Sequence, residues 1–159
     1  MTAIRRHGLL RRTALSFALA YIVALALIAF WPTPVDRGVH GSISLAVLWL
    51  HAHGIPTWLN YAAIEFTANI ALFVPVGLLL VVLAGAHRWW LGPVVGALVS
   101  TLIELGQLVL LPERFATVND VVANSFGALL GAGVAIVVLR LVLGPRPLTL
   151  RLPHQDQPR

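Results

Sequence analysis

The chain has 159 residues, of which 58% are hydrophobic and 11% are charged, and its mean hydropathy is +0.87. Because soluble domains carry roughly 25% charged residues, this composition excludes a soluble globular protein and indicates an integral membrane protein. The formal charge of +5 comes from eleven Arg residues. It requires no nucleic-acid partner, since in a membrane protein it indicates which side each loop occupies.

The first predicted membrane span follows a basic segment. Residues 1–12 contain four Arg, and residues 13–31 are apolar over 19 positions, about the ~20 residues that a spanning helix needs. A cleaved signal peptide is the alternative, because Ala24-Leu25-Ala26 resembles a cleavage site. The apolar run continues past it to Phe30, so we expect a retained helix after a basic N-terminus.

A shorter apolar run separates the first span from the second. Residues 42–50 are apolar, too few to cross a bilayer. They favour an interfacial or re-entrant helix. Three more spans are predicted at residues 61–84, 89–111 and 119–143, with Pro75 expected to kink the second.

These elements predict an all-α membrane protein, a four-transmembrane-helix bundle with a short interfacial or re-entrant helix between spans 1 and 2. The tail, residues 144–159, contains four Pro and three Arg and is expected to be disordered. If the N-terminus is cytoplasmic, nine Arg lie inside, and only Arg37 and Arg114 lie outside. The positive-inside rule therefore predicts that both termini are cytoplasmic.

Polar residues recur in three of the spans at one predicted depth. The second span opens with Glu65 and Asn69, the third closes with Glu104 and Gln107, and the fourth opens with Asp120 and Asn124. Unpaired polar groups are costly in hydrocarbon. We therefore predict one polar pocket that faces the extracytoplasmic leaflet and binds a ligand, with Arg114 at its mouth as the counter-ion.

Structural roles are the alternative for several of these residues. Asn119 and Asp120 could cap the fourth helix, and Asn69 and Gln107 could join helices through hydrogen bonds. Glu104 is the deepest carboxylate, an expensive group to use only for packing. It is the candidate working residue, whether as a charge, a proton donor or a catalytic base.

Small residues recur every four positions in the last two spans. One face carries Gly92, Gly96 and Ser100 and leads to Glu104, and the other carries Ala123, Gly127, Gly131 and Ala135. Such faces allow helices to approach closely. We expect the third and fourth spans to pack on each other, and the same faces could also form a homo-oligomer.

Over residues 61–133 the chain resembles the VanZ-like family of small membrane proteins. Residues 69–77, NIALFVPVG, are similar to the family's N-I-x-L-F-x-P-x-G segment. Further matches follow, in the order Ser100, Glu104, Gln107, Arg114, Asp120, Asn124, Gly127 and Gly131. Thr117 and Asn119 depart from the family pattern, because acids are common there, and weaker binding of a ligand cation is the implied consequence.

The resemblance implies a multi-pass protein of the bacterial cell membrane with a role in the envelope. The family's named member is associated with low-level resistance to teicoplanin, so the first hypothesis is a pocket that binds an amphiphile, either a lipid-linked cell-wall precursor or a lipoglycopeptide. A membrane-embedded hydrolase or transferase acting on a lipid headgroup is the alternative, as is a small transporter. His51 and His53 are a weak metal signal, no catalytic motif is present, and neither a metal nor a cofactor is predicted.

Overall fold

The computed structural model of the protein describes residues 3–31, 38, 40–111 and 117–143. Within these ranges the chain is entirely helical, with no strand. The helices are α1 (Ala3–Ala29), α2 (His40–Ala52), α3 (Tyr61–Ala84), α4 (Leu91–Leu110) and α5 (Val118–Leu143). Four of them, α1, α3, α4 and α5, are long and apolar enough to cross a membrane, and α2 is a shorter apolar helix. The predicted fold class is confirmed.

The ends of the helices follow from local chemistry. Asn60 caps α3, because its side-chain oxygen accepts a hydrogen bond from the backbone N–H of Ala63 at 3.0 Å. Gly85 ends α3 with a φ of +92°, a conformation that side chains disfavour. Pro112 is the next residue in sequence after Leu111, where α4 has ended. Proline disfavours helical geometry in the residue that precedes it.

Several bounds differ from the predicted ones. The first helix begins at Ala3, so it includes most of the basic N-terminal segment. Helix α4, which corresponds to the third predicted span, begins at Leu91. It starts there because residues 86–88 form a 3₁₀ turn, and Trp89 and Trp90 form a further turn. The predicted disordered tail, residues 144–159, and Arg114 lie outside the described residues.

Three helices, α3, α4 and α5, make the tight core of the bundle. α5 is central, and it packs most extensively on α3 and then on α4. A Cβ built on Gly77 or Gly131 would overlap a backbone carbonyl oxygen of the facing helix, that of Ala128 or Val74 respectively. The backbones of α3 and α5 therefore touch directly, an arrangement in which Cα–H groups lie against carbonyl oxygens.

The small-residue faces pair differently from the prediction. The third and fourth spans, α4 and α5, do pack together, with Gly96 against Ala128 of α5. However, Gly127 and Gly131 face α3 rather than α4, since a Cβ at either would meet the backbone of Ile70 or Val74. These faces are filled by helices of the same chain. A homo-oligomer, which stays a prediction, would have to use another surface.

The first helix lies at the edge of this core. The Tyr21 hydroxyl donates to the carbonyl oxygen of Leu72 on α3. Near the end of α1, the Phe30 ring lies against Gly106 of α4, where a Cβ would come within 2.8 Å of two ring carbons. α1 therefore spans the groove between α3 and α4, and its C-terminal end lies beside the C-terminal end of α4.

The outer surface of the bundle is largely apolar. Many Leu, Val, Ile, Phe and Trp side chains are exposed, including Phe17, Leu102 and Leu141, whereas Phe73 and Val81 are fully buried. In water so large an apolar surface would be an aggregation site. In a bilayer it is the surface that faces the lipid, which agrees with the multi-pass membrane protein that the composition predicts.

Candidate functional site

The polar residues of α3, α4 and α5 lie at one end of the bundle. Successive helices of this group run in opposite directions, so the start of α3, the end of α4 and the start of α5 meet there. Direct hydrogen bonds show the meeting: Asn69 contacts Asp120, and Glu104 contacts Thr117. The shared depth that the sequence predicts is therefore present in the fold.

Asn69 and Asp120 join α3 to α5. The Asn69 Nδ2 group donates to Asp120 Oδ1 at 2.6 Å, and both side chains are partly buried. This is a hydrogen bond to a carboxylate, slightly shorter than the ~2.7–3.2 Å usual for N–H···O contacts. It uses one carboxylate oxygen of Asp120, and a carboxylate can accept hydrogen bonds at both oxygens.

Thr117 contacts the Glu104 carboxylate on α4 and the backbone of Asp120 on α5. Its backbone N–H donates to Glu104 Oε2 at 3.0 Å, and its own hydroxyl oxygen accepts from the backbone N–H of Asp120 at 3.2 Å. The second contact makes Thr117 the N-cap of α5. Glu104 and Asp120 are thus held beside the same helix N-terminus, whose positive end favours negative charge.

This arrangement corrects the predicted cap. The sequence offers Asn119 and Asp120 as caps, but the helix begins at Val118, one residue before the predicted start. Asn119 is exposed in the first turn, and the Asp120 side chain is directed at Asn69 instead. Thr117, at a position where the family often has an acid, has a structural role here.

One helical turn deeper, Ser100 and Asn124 join α4 to α5. The Asn124 Nδ2 group donates to Ser100 Oγ at 2.8 Å. Both residues are buried, with exposed fractions of 0% for Ser100 and 6% for Asn124. Asn124 Oδ1 is buried and has no hydrogen-bond partner among the described residues.

Gln107 faces another helix. Its Nε2 group donates to the carbonyl oxygen of Ala29 on α1 at 2.8 Å, and its side chain is 8% exposed. Ala29 ends α1, where backbone carbonyls have no partner within the helix. The described hydrogen bond of Gln107 therefore attaches α1 to α4, the interhelical role that the sequence left open as an alternative.

Two predicted site residues remain, Glu65 and Arg114. Glu65 lies four residues before Asn69 on α3 and is exposed, so it stands nearer the end of the bundle than the Asn69 to Asp120 contact does. Arg114 lies outside the described residues, and its role as a counter-ion stays a prediction. Whether any of these residues lines a ligand pocket is likewise a prediction.

His51, near the end of α2, and His53, just after it, each contact a backbone carbonyl. His51 Nε2 lies 2.9 Å from the carbonyl oxygen of Leu59, and His53 Nδ1 lies 2.8 Å from that of Trp49. One ring nitrogen of each histidine is thus paired with a backbone carbonyl. Throughout the described ranges, no group of three or more His, Asp or Glu is placed to hold a metal ion.

Two residues in this site escaped the sequence interpretation. The sequence places Ser100 on a packing face and among the matches to the family pattern but not in the pocket, and it identifies Thr117 only as a departure from that pattern. The spacing contained a signal for Ser100, since it lies four residues before Glu104 and shares its helix face. For Thr117 the signal was its position three residues before Asp120, typical of an N-cap.

Comparison with known proteins gives one match. A family model described as VanZ/LLP1 matches residues 17–140, which is more than three quarters of the chain. No curated protein and no solved structure gave a significant match. The matched residues include the second and third spans, most of the first and fourth, and every described polar contact of the site.

Proposed function

This chain belongs to the VanZ/LLP1 family of membrane proteins, and from that membership and the polar site we propose that it binds an amphiphile at the polar end of the bundle. The ligand class is a lipid-linked cell-wall precursor or a lipoglycopeptide, and the physiological result is a contribution to resistance against teicoplanin-type glycopeptides. The apolar flanks of the bundle suit the acyl chains of such a ligand, and the polar end suits its headgroup.

The observation that carries this proposal is the position of Glu104 and Asp120. Two carboxylates from different helices lie beside one helix end, where Glu104 accepts from the backbone N–H of Thr117 and Asp120 accepts from Asn69. Carboxylates are rare in membrane helices, because removing them from water is costly unless they are paired. Packing alone does not require two of them at one place, whereas a site for a polar headgroup can use both.

The proposed orientation places this end outside the cytoplasm. The described Arg side chains lie at the start of the apolar span of α1, between α3 and α4, and near the end of α5; they are those of Arg12, Arg88 and Arg140. In an antiparallel bundle these three positions share the end opposite to Glu104 and Asp120. By the positive-inside rule that end is cytoplasmic, so the polar site opens toward the leaflet in which exported envelope precursors and external glycopeptides are found.

The experiment compares teicoplanin susceptibility in a glycopeptide-sensitive host that expresses wild type or Glu104→Gln, with membrane levels matched by an epitope tag. Wild type is expected to raise the inhibitory concentration, and Glu104→Gln to remove that gain although it keeps the shape and one acceptor of the side chain. Asn119→Ala is the matched control, because Asn119 is exposed at the same end of the bundle.

Binding is measured separately. Lipids that co-purify with the protein in detergent are identified by native mass spectrometry, with an unrelated four-span protein as the reference. If wild type gives no resistance and retains no more amphiphile than the reference protein, the proposed function is wrong. If Glu104→Gln is fully active, the function stands and Glu104 is not the working residue.

A further inference from the structure

The buried side chain of Asn124 is incompletely satisfied. Its amide nitrogen donates a hydrogen bond to Ser100. Its amide oxygen has no partner among the described residues, although Asn124 is 94% buried. A buried acceptor without a donor is unfavourable, and it is rare in native proteins. Such an oxygen requires a donor from outside the described chain.

The direction of the side chain indicates where that donor would come from. In an α-helix the Cα–Cβ bond tilts toward the N-terminus, so a side chain covers the preceding turn. Asn124 lies one turn after Asp120 on α5. The two residues therefore share one face of α5, and Asp120, whose Oδ1 accepts from Asn69, lies on the side of the polar end.

The two oxygen-bearing groups on this face of α5, the Asn124 amide oxygen and the Asp120 carboxylate, are hydrogen-bond acceptors. The Asn124 oxygen is neutral, Asp120 has a carboxylate at the next turn, and the hydroxyl of Ser100 already accepts from Asn124. A site of this kind suits a positively charged donor, since an N–H group satisfies the orphan oxygen and its charge is attracted by the carboxylate. An anionic group would be repelled by Asp120 and would leave the oxygen unsatisfied.

We infer that Asn124 Oδ1 and Asp120 receive a primary ammonium group on the ligand's headgroup. This inference rests on the proposed function, because it assigns the chemical group that the same site recognises. The ammonium enters from the polar end of the bundle, donates one N–H to Asn124 Oδ1 and lies beside the Asp120 carboxylate. No covalent bond is formed or broken.

The test uses two phospholipids with the same acyl chains, presented in equal amounts to the detergent-purified full chain and analysed by native mass spectrometry. Phosphatidylethanolamine has an ammonium with N–H donors, and phosphatidylcholine has a quaternary ammonium of equal charge with none. Wild type is expected to retain phosphatidylethanolamine about ten-fold over phosphatidylcholine, the factor that one hydrogen bond to a charged group provides.

Three variants distinguish recognition from folding. Asn124→Leu is expected to lose the preference, and Asn124→Asp to keep or increase it, because the aspartate still accepts from the ammonium. Asn119→Leu is the matched control and is expected to behave as wild type, since Asn119 is exposed in the same helix. If Asn124→Leu does not fold, the inference is still tested by the lipid preference of the wild type and by that of Asn124→Asp.

The source of the ammonium is examined by repeating the measurement with a lipoglycopeptide whose amines are either free or acetylated. A preference for the amine-bearing form of either ligand supports the inference and identifies its source. Equal retention of both forms of both ligands overturns it and leaves water as the donor to Asn124, while the proposed function stands. Retention of no amphiphile above the unrelated reference protein overturns both.

Discussion

The direct contact of the α3 and α5 backbones makes a sharp prediction at Gly131. A Cβ at this position would overlap the carbonyl oxygen of Val74 and lie 3.0 Å from the backbone nitrogen of Leu78. These are backbone atoms of α3, which cannot rotate away as a side chain can. The helices would have to separate along the interface that also contains Gly127, so Gly131→Ala is expected to destabilise the bundle.

The magnitude follows from two opposed effects. Overpacking of a close interface costs about 1–3 kcal/mol and occasionally more, and contact with backbone places Gly131→Ala near ~3 kcal/mol. Replacing Gly by Ala inside a helix stabilises the helix by about 1 kcal/mol. The expected net loss is about 2 kcal/mol of unfolding free energy, or roughly 30-fold in the unfolding equilibrium constant.

Gly133→Ala is the matched control. Gly133 lies two residues further along α5, is exposed, and has nothing within 4 Å of an added Cβ. Gly133→Ala should therefore leave the unfolding free energy unchanged or raise it by up to about 1 kcal/mol. The assay is SDS-induced unfolding in mixed micelles, followed by tryptophan fluorescence. Gly131→Ala and Gly133→Ala unfolding at the same SDS fraction would refute the close contact of α3 and α5.

Further predictions concern helix ends, the attachment of α1 and the topology. Asn60→Ala is expected to lower the unfolding free energy by about 1 kcal/mol in the same assay, because the cap of α3 is lost. Thr117→Ala should cost a similar amount and Thr117→Ser much less, since Ser retains the capping hydroxyl; equal losses would refute the cap. Gln107→Leu removes the bond to Ala29 and is expected to cost about 0.6–2 kcal/mol; a neutral result would show that this hydrogen bond does not stabilise the attachment of α1. Cysteines introduced at residues 116 and 149 should differ in labelling by an impermeant reagent on intact cells, and equal labelling of both would overturn the proposed orientation.

Most of the fold was predictable because it depends on local properties. Four apolar runs of sufficient length, separated by polar or Pro-bearing segments, specify four spans, and the shorter run at residues 42–50 specifies α2. The errors occur at boundaries. Val118 starts α5 because Thr117 caps it, and Leu91 starts α4 because a 3₁₀ turn after Gly85 delays the helix.

The sequence predicted how far along the bundle the polar side chains lie, but not which of them form hydrogen bonds with each other. Polar positions at the start or end of each span place Asn69, Glu104 and Asp120 near one end of the bundle, since antiparallel helices bring those ends together. The predicted pocket brings Asn69 close to Asp120, but the sequence did not specify their hydrogen bond, or that Gln107 turns toward α1. Each of these contacts depends on how a helix is rotated about its own axis.

By itself, the sequence determined the helical class, the number of spans and the depth of the polar residues, because hydropathy, length and helical spacing are properties of each segment alone. The tertiary structure decided which faces meet. Gly127 and Gly131 approach α3, and Ala128 approaches Gly96 of α4. All small-residue faces look alike in sequence, and the choice among them comes from the fit of three backbones at once. That fit is also what buries Asn124, whose amide oxygen has no partner among the residues that the structure describes.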